Sequence, residues 1–154
     1  MSSLLIVEDH SWRSDQLELA VASALDVRVG TWPLEVHVAG TAGEAVDLLE
    51  VSSPDLVFLD YDLDLDGSLS TEVSGTGEDV ASAISTTPAT RRPAVLVHSK
   101  NPEKGPRLVA GLAAAGIQSA WIPVPRPEEP GYRSQLRFLG VLAAAFLSSE
   151  VGEE

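Results

Sequence analysis

Pro54-Asp55-Leu56-Val57-Phe58-Leu59-Asp60 decides the architecture: four apolar residues run without interruption into a carboxylate. A continuous apolar stretch of this length fits a strand covered on both faces, as in a parallel sheet, whereas a strand with one wet face would alternate. Two other stretches share the pattern, Leu4-Leu5-Ile6-Val7 and Ala94-Val95-Leu96-Val97. Each also ends on polar residues, Glu8-Asp9 after the first and His98-Ser99 after the second. Two weaker strands are predicted at 34–39 and 119–124.

Between these runs the apolar spacing becomes helical. Leu17, Ala20, Val21, Ala24 and Leu25 follow the i, i+3, i+4, i+7, i+8 rule after Ser11. A second helix is predicted from Thr41, where Glu44 completes a capping-box pattern and Ala45, Val46 and Leu49 form the buried face. A third starts near Gly77 and buries Val80, Ala81 and Ile84. The fourth spans 106–115 and stops at Gly116, in the position of a C′ glycine. The last buries Leu136, Leu139, Ala143, Phe146 and Leu147.

Five strand–helix alternations with right-handed crossovers give one doubly wound parallel sheet. The expected fold is α/β, flavodoxin-like, with strand order 2-1-3-4-5 and its ligand site beyond the carboxyl ends of the first and third strands. One domain over residues 1–150 is expected, followed by an acidic tail at 151–154. The 154 residues, 44% hydrophobic, suffice for a single core.

A formal net charge of -13 repels nucleic acid and anionic membrane. No apolar run approaches the ~20 residues of a membrane span. Neither a charged leader nor a small-residue cleavage site precedes the first strand, and cysteine is absent. A cytoplasmic chain without disulfides or thiolate metal sites is expected.

On this frame Glu8, Asp9 and Asp60 converge at one crevice, with Ser99 beside them. Like charges held that close need a cation or a shared proton. Oxygen donors and partial solvent access suit Mg²⁺, or Mn²⁺. A separate run, Asp62-x-Asp64-x-Asp66-Gly67, opens like a calcium loop. Its twelfth position is Val73, with Glu72 one residue early, so a solvated rim is the better reading.

The stretches Leu5-Ile6-Val7-Glu8-Asp9, Pro54 to Asp60 and Val95-Leu96-Val97-His98-Ser99 resemble the receiver domain of two-component response regulators, over residues 4–125. The resemblance implies that Glu8 and Asp9 hold the metal together with Asp60 and the Asp62 backbone carbonyl. It implies that Asp60 is the phosphoacceptor and Ser99 the hydroxyl that bonds the phosphoryl group. The family also carries a Lys at the end of strand five, usually before Pro, that pairs with the phosphoryl group. Here Trp121-Ile122-Pro123-Val124-Pro125 puts Val124 at that position. Lys100 and Lys104 are the nearby alternatives, both beyond strand four.

A narrower resemblance runs through Leu59-Asp60-Tyr61-Asp62-Leu63, Thr76-Gly77-Glu78-Asp79-Val80-Ala81 and Val97-His98-Ser99-Lys100-Asn101-Pro102. These segments look like an atypical receiver subgroup named for a predicted role in processing cyclic phosphates. That likeness implies that His98, Asn101 and Asp62 join the pocket, with His98 and Ser99 catalytic. Competing roles are structural: a hydrogen-bonded His98, Ser99 as the cap of the fourth helix, and Asn101 as a cap before Pro102. Trp12, Trp32 and Trp121 read as core or rim packing.

Three functions follow from the likeness. The first is a stand-alone receiver in phosphorelay signalling, served by a histidine kinase or other signalling protein, with a homodimer through the fourth and fifth helices. The second is a metal-assisted phosphoesterase on cyclic or terminal phosphates. The third is an interaction module with an inert pocket.

Overall fold

The computed structural model describes residues 2–27, 34–63 and 75–151, the last three by backbone alone. Trp32, residues 64–74 of the calcium-like run and the tail residues 152–154 lie outside the described residues. The strands are β1 (Ser2–Val7), β2 (Leu34–Ala39), β3 (Leu56–Leu59), β4 (Ala94–Val97) and β5 (Ser119–Trp121). The helices are α1 (Ser11–Leu25), α2 (Ala42–Ser52), α3 (Gly77–Thr86), α4 (Lys104–Ala114) and α5 (Tyr132–Val151). All pairings are parallel, in the order β2-β1-β3-β4-β5, as expected for a flavodoxin-like fold.

The three continuous apolar strands are covered on both faces. Leu5, Val7, Val57, Leu59, Val95 and Val97 pack toward α2, α3 and α4. Leu4, Ile6, Leu56, Phe58 and Leu96 pack toward α1 and α5. Phe58, Leu4, Leu56, Leu59 and Leu96 are among the largest fully buried side chains. Each such side chain contributes about 1.5–3 kcal/mol through removal from water.

Several boundaries differ from expectation, each for a local reason. Strand β5 stops at Trp121, three residues early, because Pro123 and Pro125 have no N–H to donate. The intervening amides still pair, Ile122 N to Val97 O at 2.8 Å and Val124 N to His98 O at 3.2 Å. Helix α4 begins at Lys104, two residues early, because Asn101 Oδ1 accepts from the amides of Glu103 and Lys104, both at 3.0 Å. On α1 the buried face is Arg13, Ser14, Leu17, Val21 and Ala22, and Ala24 is exposed. Gly116 ends α4 with φ +79°, as a C′ glycine should.

Thr41 caps α2 as expected, accepting from Glu44 N at 3.2 Å, while the Glu44 carboxylate reaches the Gly40 amide. A full capping box, unanticipated, opens α3 between Thr76 and Asp79. It starts that helix hard against the end of β3. A Cβ on Gly77 would overlap the Asp60 carbonyl oxygen and stand 2.9 Å from Tyr61 Cα, so glycine is required by this approach.

Candidate functional site

Strand register builds the site. Val7 pairs with Leu59 and Leu59 with Val97, so one step further Glu8, Asp60 and His98 form the next row across three neighbouring strands. The backbone bonds Asp60 N to Val7 O and His98 N to Leu59 O, both 3.1 Å, carry the register to that row. Side chains alternate along a strand; this row therefore lies on the face of Ile6, Phe58 and Leu96, under α1 and α5.

Ligand atoms of Glu8, Asp60 and His98 all lie within 4.8 Å of one another. Glu8 Oε2 is 2.9 Å from His98 Nε2, and both residues are buried. Burial pushes the Glu8 carboxyl up to about 7, against the Asp60 hydrogen bond and the Arg13 charge, which lower it. Burial likewise pushes Asp60 up to about 7, its proximity to Glu8 adding to the rise. Both carboxyls are thus held above the ordinary carboxylate range, which favours one proton between them over two adjacent buried charges. His98 is pushed down to about 4 by burial and is neutral. Its Nδ1 has no hydrogen-bond partner among the described residues, so the Nε2–H tautomer, donating to Glu8, leaves no bare N–H in the apolar layer.

Above this row opens a cavity of about 310 Å³ lined by Glu8, Asp9, Asp60, Asp62, Ser99 and Arg13, with Trp12 and Lys100 at its rim. Asp9 is buried, its pKa raised first by that burial and lowered by His10, whose Nε2 is 3.9 Å away. Glu8 Oε1 and Asp9 Oδ1 are buried with no hydrogen-bond partner among the described residues. Asp60 Oδ1 accepts from the Tyr61 amide at 2.8 Å. Ser99 Oγ accepts from Asn101 N at 3.3 Å, which leaves its O–H free to donate into the cavity.

The structure thus brings Glu8, Asp9, Asp60, Asp62 and Ser99 to one cavity and separates others from it. His98 is 0% exposed and lies beneath the cavity floor, edge-on to Phe58 at 6.5 Å. Asn101 does not line the cavity; its carboxamide caps α4. The Lys100 ammonium is turned to Glu129 at 3.2 Å, and Lys104 stands 5.2 Å from the Tyr61 ring centroid. Val124 is fully buried in the α1/α5 layer, so β5 supplies no side-chain cation. Trp12 is a rim residue, and Trp121 donates from Nε1 to the Ser99 carbonyl at 2.6 Å while its ring packs on Gly105.

Arg13 was not anticipated. A basic residue one turn into an amphipathic helix normally faces solvent; this one is 8% exposed. Its Nη1 and Nη2 donate to the carbonyls of Val124 and Pro125 at 3.2 and 3.5 Å, and Nε is 3.7 Å from Glu8 Oε1. The sole sequence hint is its position one helical turn before Leu17 on the buried stripe.

Comparison with known proteins agrees with this architecture. None of the curated proteins matches the chain. Among solved structures, the chain is similar to the response regulator domain of CheB from Thermotoga maritima, with 16% identity over 96% of this chain and 97% of that one, TM-score 0.67. It is also similar to a CheY-like receiver domain protein from Methanospirillum hungatei, with 17% identity over 100% and 99%, TM-score 0.64. A third is the receiver domain of a sensor histidine kinase from Pseudomonas aeruginosa, which has a magnesium ion coordinated in its active-site cleft; there identity is 19% over 90% and 98%, TM-score 0.57. These likenesses establish the fold. The model of the cyclic-phosphate processing Receiver domain matches residues 6–114, from within β1 to the end of α4. With the acidic row, the Ser99 hydroxyl and the matched segment in agreement, the chain belongs to the cyclic-phosphate processing Receiver domain family.

Proposed function

We propose that the cavity binds a divalent cation, Mg²⁺ or Mn²⁺, and that Asp60 accepts a phosphoryl group there. The observation that carries this reading is the pair of buried acid oxygens without hydrogen-bond partners among the described residues, Glu8 Oε1 and Asp9 Oδ1, in the same cavity as Asp60. Buried carboxylate oxygens without donors are costly unless a cation completes them. The donor set fits a hard ion: Glu8, Asp9 and Asp60 would hold it, with the Asp62 carbonyl. His98 is a poor ligand here, because freeing Nε2 would move its proton to the partnerless Nδ1. Its role is to hold Glu8.

The cation would neutralise the incoming phosphoryl oxygens. One Asp60 carboxylate oxygen would then attack phosphorus as the donor's bond to it breaks (P–N in a phosphohistidine, P–O in an acyl phosphate), the leaving group departing with that electron pair, and Ser99 donates its O–H to a phosphoryl oxygen. A histidine kinase or another phosphorylated signalling protein is the matching donor. Magnesium in the cleft of the Pseudomonas aeruginosa receiver domain supports the choice of ion. Incubation with Mg²⁺ and acetyl phosphate should add the mass of one phosphoryl group, blocked by EDTA and by Asp60→Asn. An unchanged wild-type mass would sink the reading.

A second reading is favoured by the family itself: hydrolysis of a cyclic phosphate in the same cavity, whose volume suits a small ester. Turnover of 2′,3′-cyclic nucleotides that Asp60→Asn and Ser99→Ala both abolish would establish it. No turnover with intact phosphorylation leaves the first reading alone.

A further inference from the structure

The cavity is lined by acids, yet the group proposed to enter it is an anion. A divalent ion offsets part of that charge, and a fixed cation at the cavity wall would offset more. Among the described residues, three long basic side chains line it: Arg13, Lys100 and Arg126. Lys100 is exposed and paired with Glu129, and the Arg126 side chain is 62% exposed. Neither is held over the acids. Arg13 is buried, and its guanidinium is fastened to two consecutive backbone carbonyls, Val124 O and Pro125 O, just past the end of β5. Its Nε–H is buried without a hydrogen-bond partner among the described residues and faces the Glu8 carboxylate at 3.7 Å. The Trp12 ring lies against it, 5.2 Å from Cζ to centroid.

We infer that Arg13 is the fixed cation of this pocket: α1 delivers to the end of β5 the positive charge that the side chain at 124 lacks, and the guanidinium pairs with the phosphoryl group bound at Asp60. This rests on the phosphoacceptor reading. The chemistry suits the place. A guanidinium carries five donors in a planar fork. Two of its nitrogens bond carbonyls, and the remaining N–H groups serve Glu8 and an anion. Burial has already removed its water, and the carbonyl anchors fix its orientation, so little ordering remains when the anion arrives. A purely structural Arg13 would do no more than tie α1 to the β5 end.

The two roles separate by sign. Removing a pocket cation weakens anion binding but favours a metal ion; deforming the pocket weakens both. Beryllofluoride, a phosphoryl mimic, is titrated at saturating Mg²⁺ and followed by ¹⁹F NMR, and Mg²⁺ affinity is measured separately by calorimetry. Arg13→Gln should weaken beryllofluoride by about 10- to 100-fold, the worth of a charge-assisted bond, while Mg²⁺ binds as tightly as before or more tightly. Arg13→Lys, which keeps the charge without the fork, should lose less than about tenfold with Mg²⁺ affinity unchanged. If Arg13→Gln does not fold, the lysine variant decides alone. Equal beryllofluoride affinity in wild type and Arg13→Gln, or parallel loss of both ligands in either variant, overturns the inference and leaves the phosphoacceptor reading in place. A wild type that takes no beryllofluoride overturns both.

Discussion

Asp60→Asn should make this protein more stable at alkaline pH even as it removes the proposed phosphoacceptor. Burial lifts the Asp60 carboxyl from 3.8 to about 7, and lifts Glu8 from 4.5 to about 7. A carboxyl raised in this way holds its proton in the folded state over a pH range where the unfolded chain has released it. The stability it contributes is full below the unfolded pKa and is lost as pH climbs through about 7. Each pH unit is worth about 1.4 kcal/mol. Because the two carboxyls share one proton their costs do not add, and about 2–4 kcal/mol is lost at pH 8. Asparagine is neutral and can donate its N–H to Glu8 in place of the shared proton. In EDTA at pH 8 the variant should gain about 2–4 kcal/mol, an upward shift of about 1–2 M in the urea midpoint. At pH 5 the gain should shrink to about 1–2 kcal/mol. A variant less stable than wild type at pH 8, or a gain that does not change with pH, would refute the reasoning.

The shared proton must leave when a cation enters, so Mg²⁺ affinity should rise between pH 6 and 8, by up to about tenfold per pH unit. Calorimetry in buffers of different ionisation enthalpy should register proton release, and a pH-independent affinity would contradict it. Gly77→Ala sets a methyl against the Asp60 carbonyl and Tyr61 Cα; it should cost about 1–3 kcal/mol in urea unfolding and slow Asp60 labelling. Wild-type stability and labelling in that variant would show that α3 can retreat freely. Arg92 bonds the carbonyls of Thr87, Ser85 and Ala115 at 2.8–2.9 Å, tying the ends of α3 and α4 together far from the cavity. Arg92→Ala should therefore lower stability by about 1–3 kcal/mol without altering Mg²⁺ affinity, and a changed affinity would count against the separation.

The sheet was legible because Leu4–Val7, Leu56–Leu59 and Ala94–Val97 are continuous apolar runs that suit a doubly covered parallel sheet, and helical spacing separates them. Glu8, Asp9, Asp60 and Ser99 followed as the residues just past their ends. Features that depend on how elements lean on one another were not legible. Arg13 looks like a surface residue until α1 lies against the carbonyls past β5. His98 and Asn101 belong to the same short motif, but strand alternation sends the first under the floor, and a turn commits the second to capping α4. Phe138 and Val141 are exposed, and Val141 shares a groove with Leu19 of α1.

The most direct test of the central claim is to locate the phosphoryl group chemically. After Mg²⁺-dependent reaction with acetyl phosphate, borohydride reduction converts an acyl phosphate of aspartate to homoserine, and peptide mapping reads the position. The account predicts homoserine at position 60 in the wild type, none in EDTA and none in Asp60→Asn. Homoserine at another aspartate, or none in a fully folded, Mg²⁺-loaded protein, would contradict it.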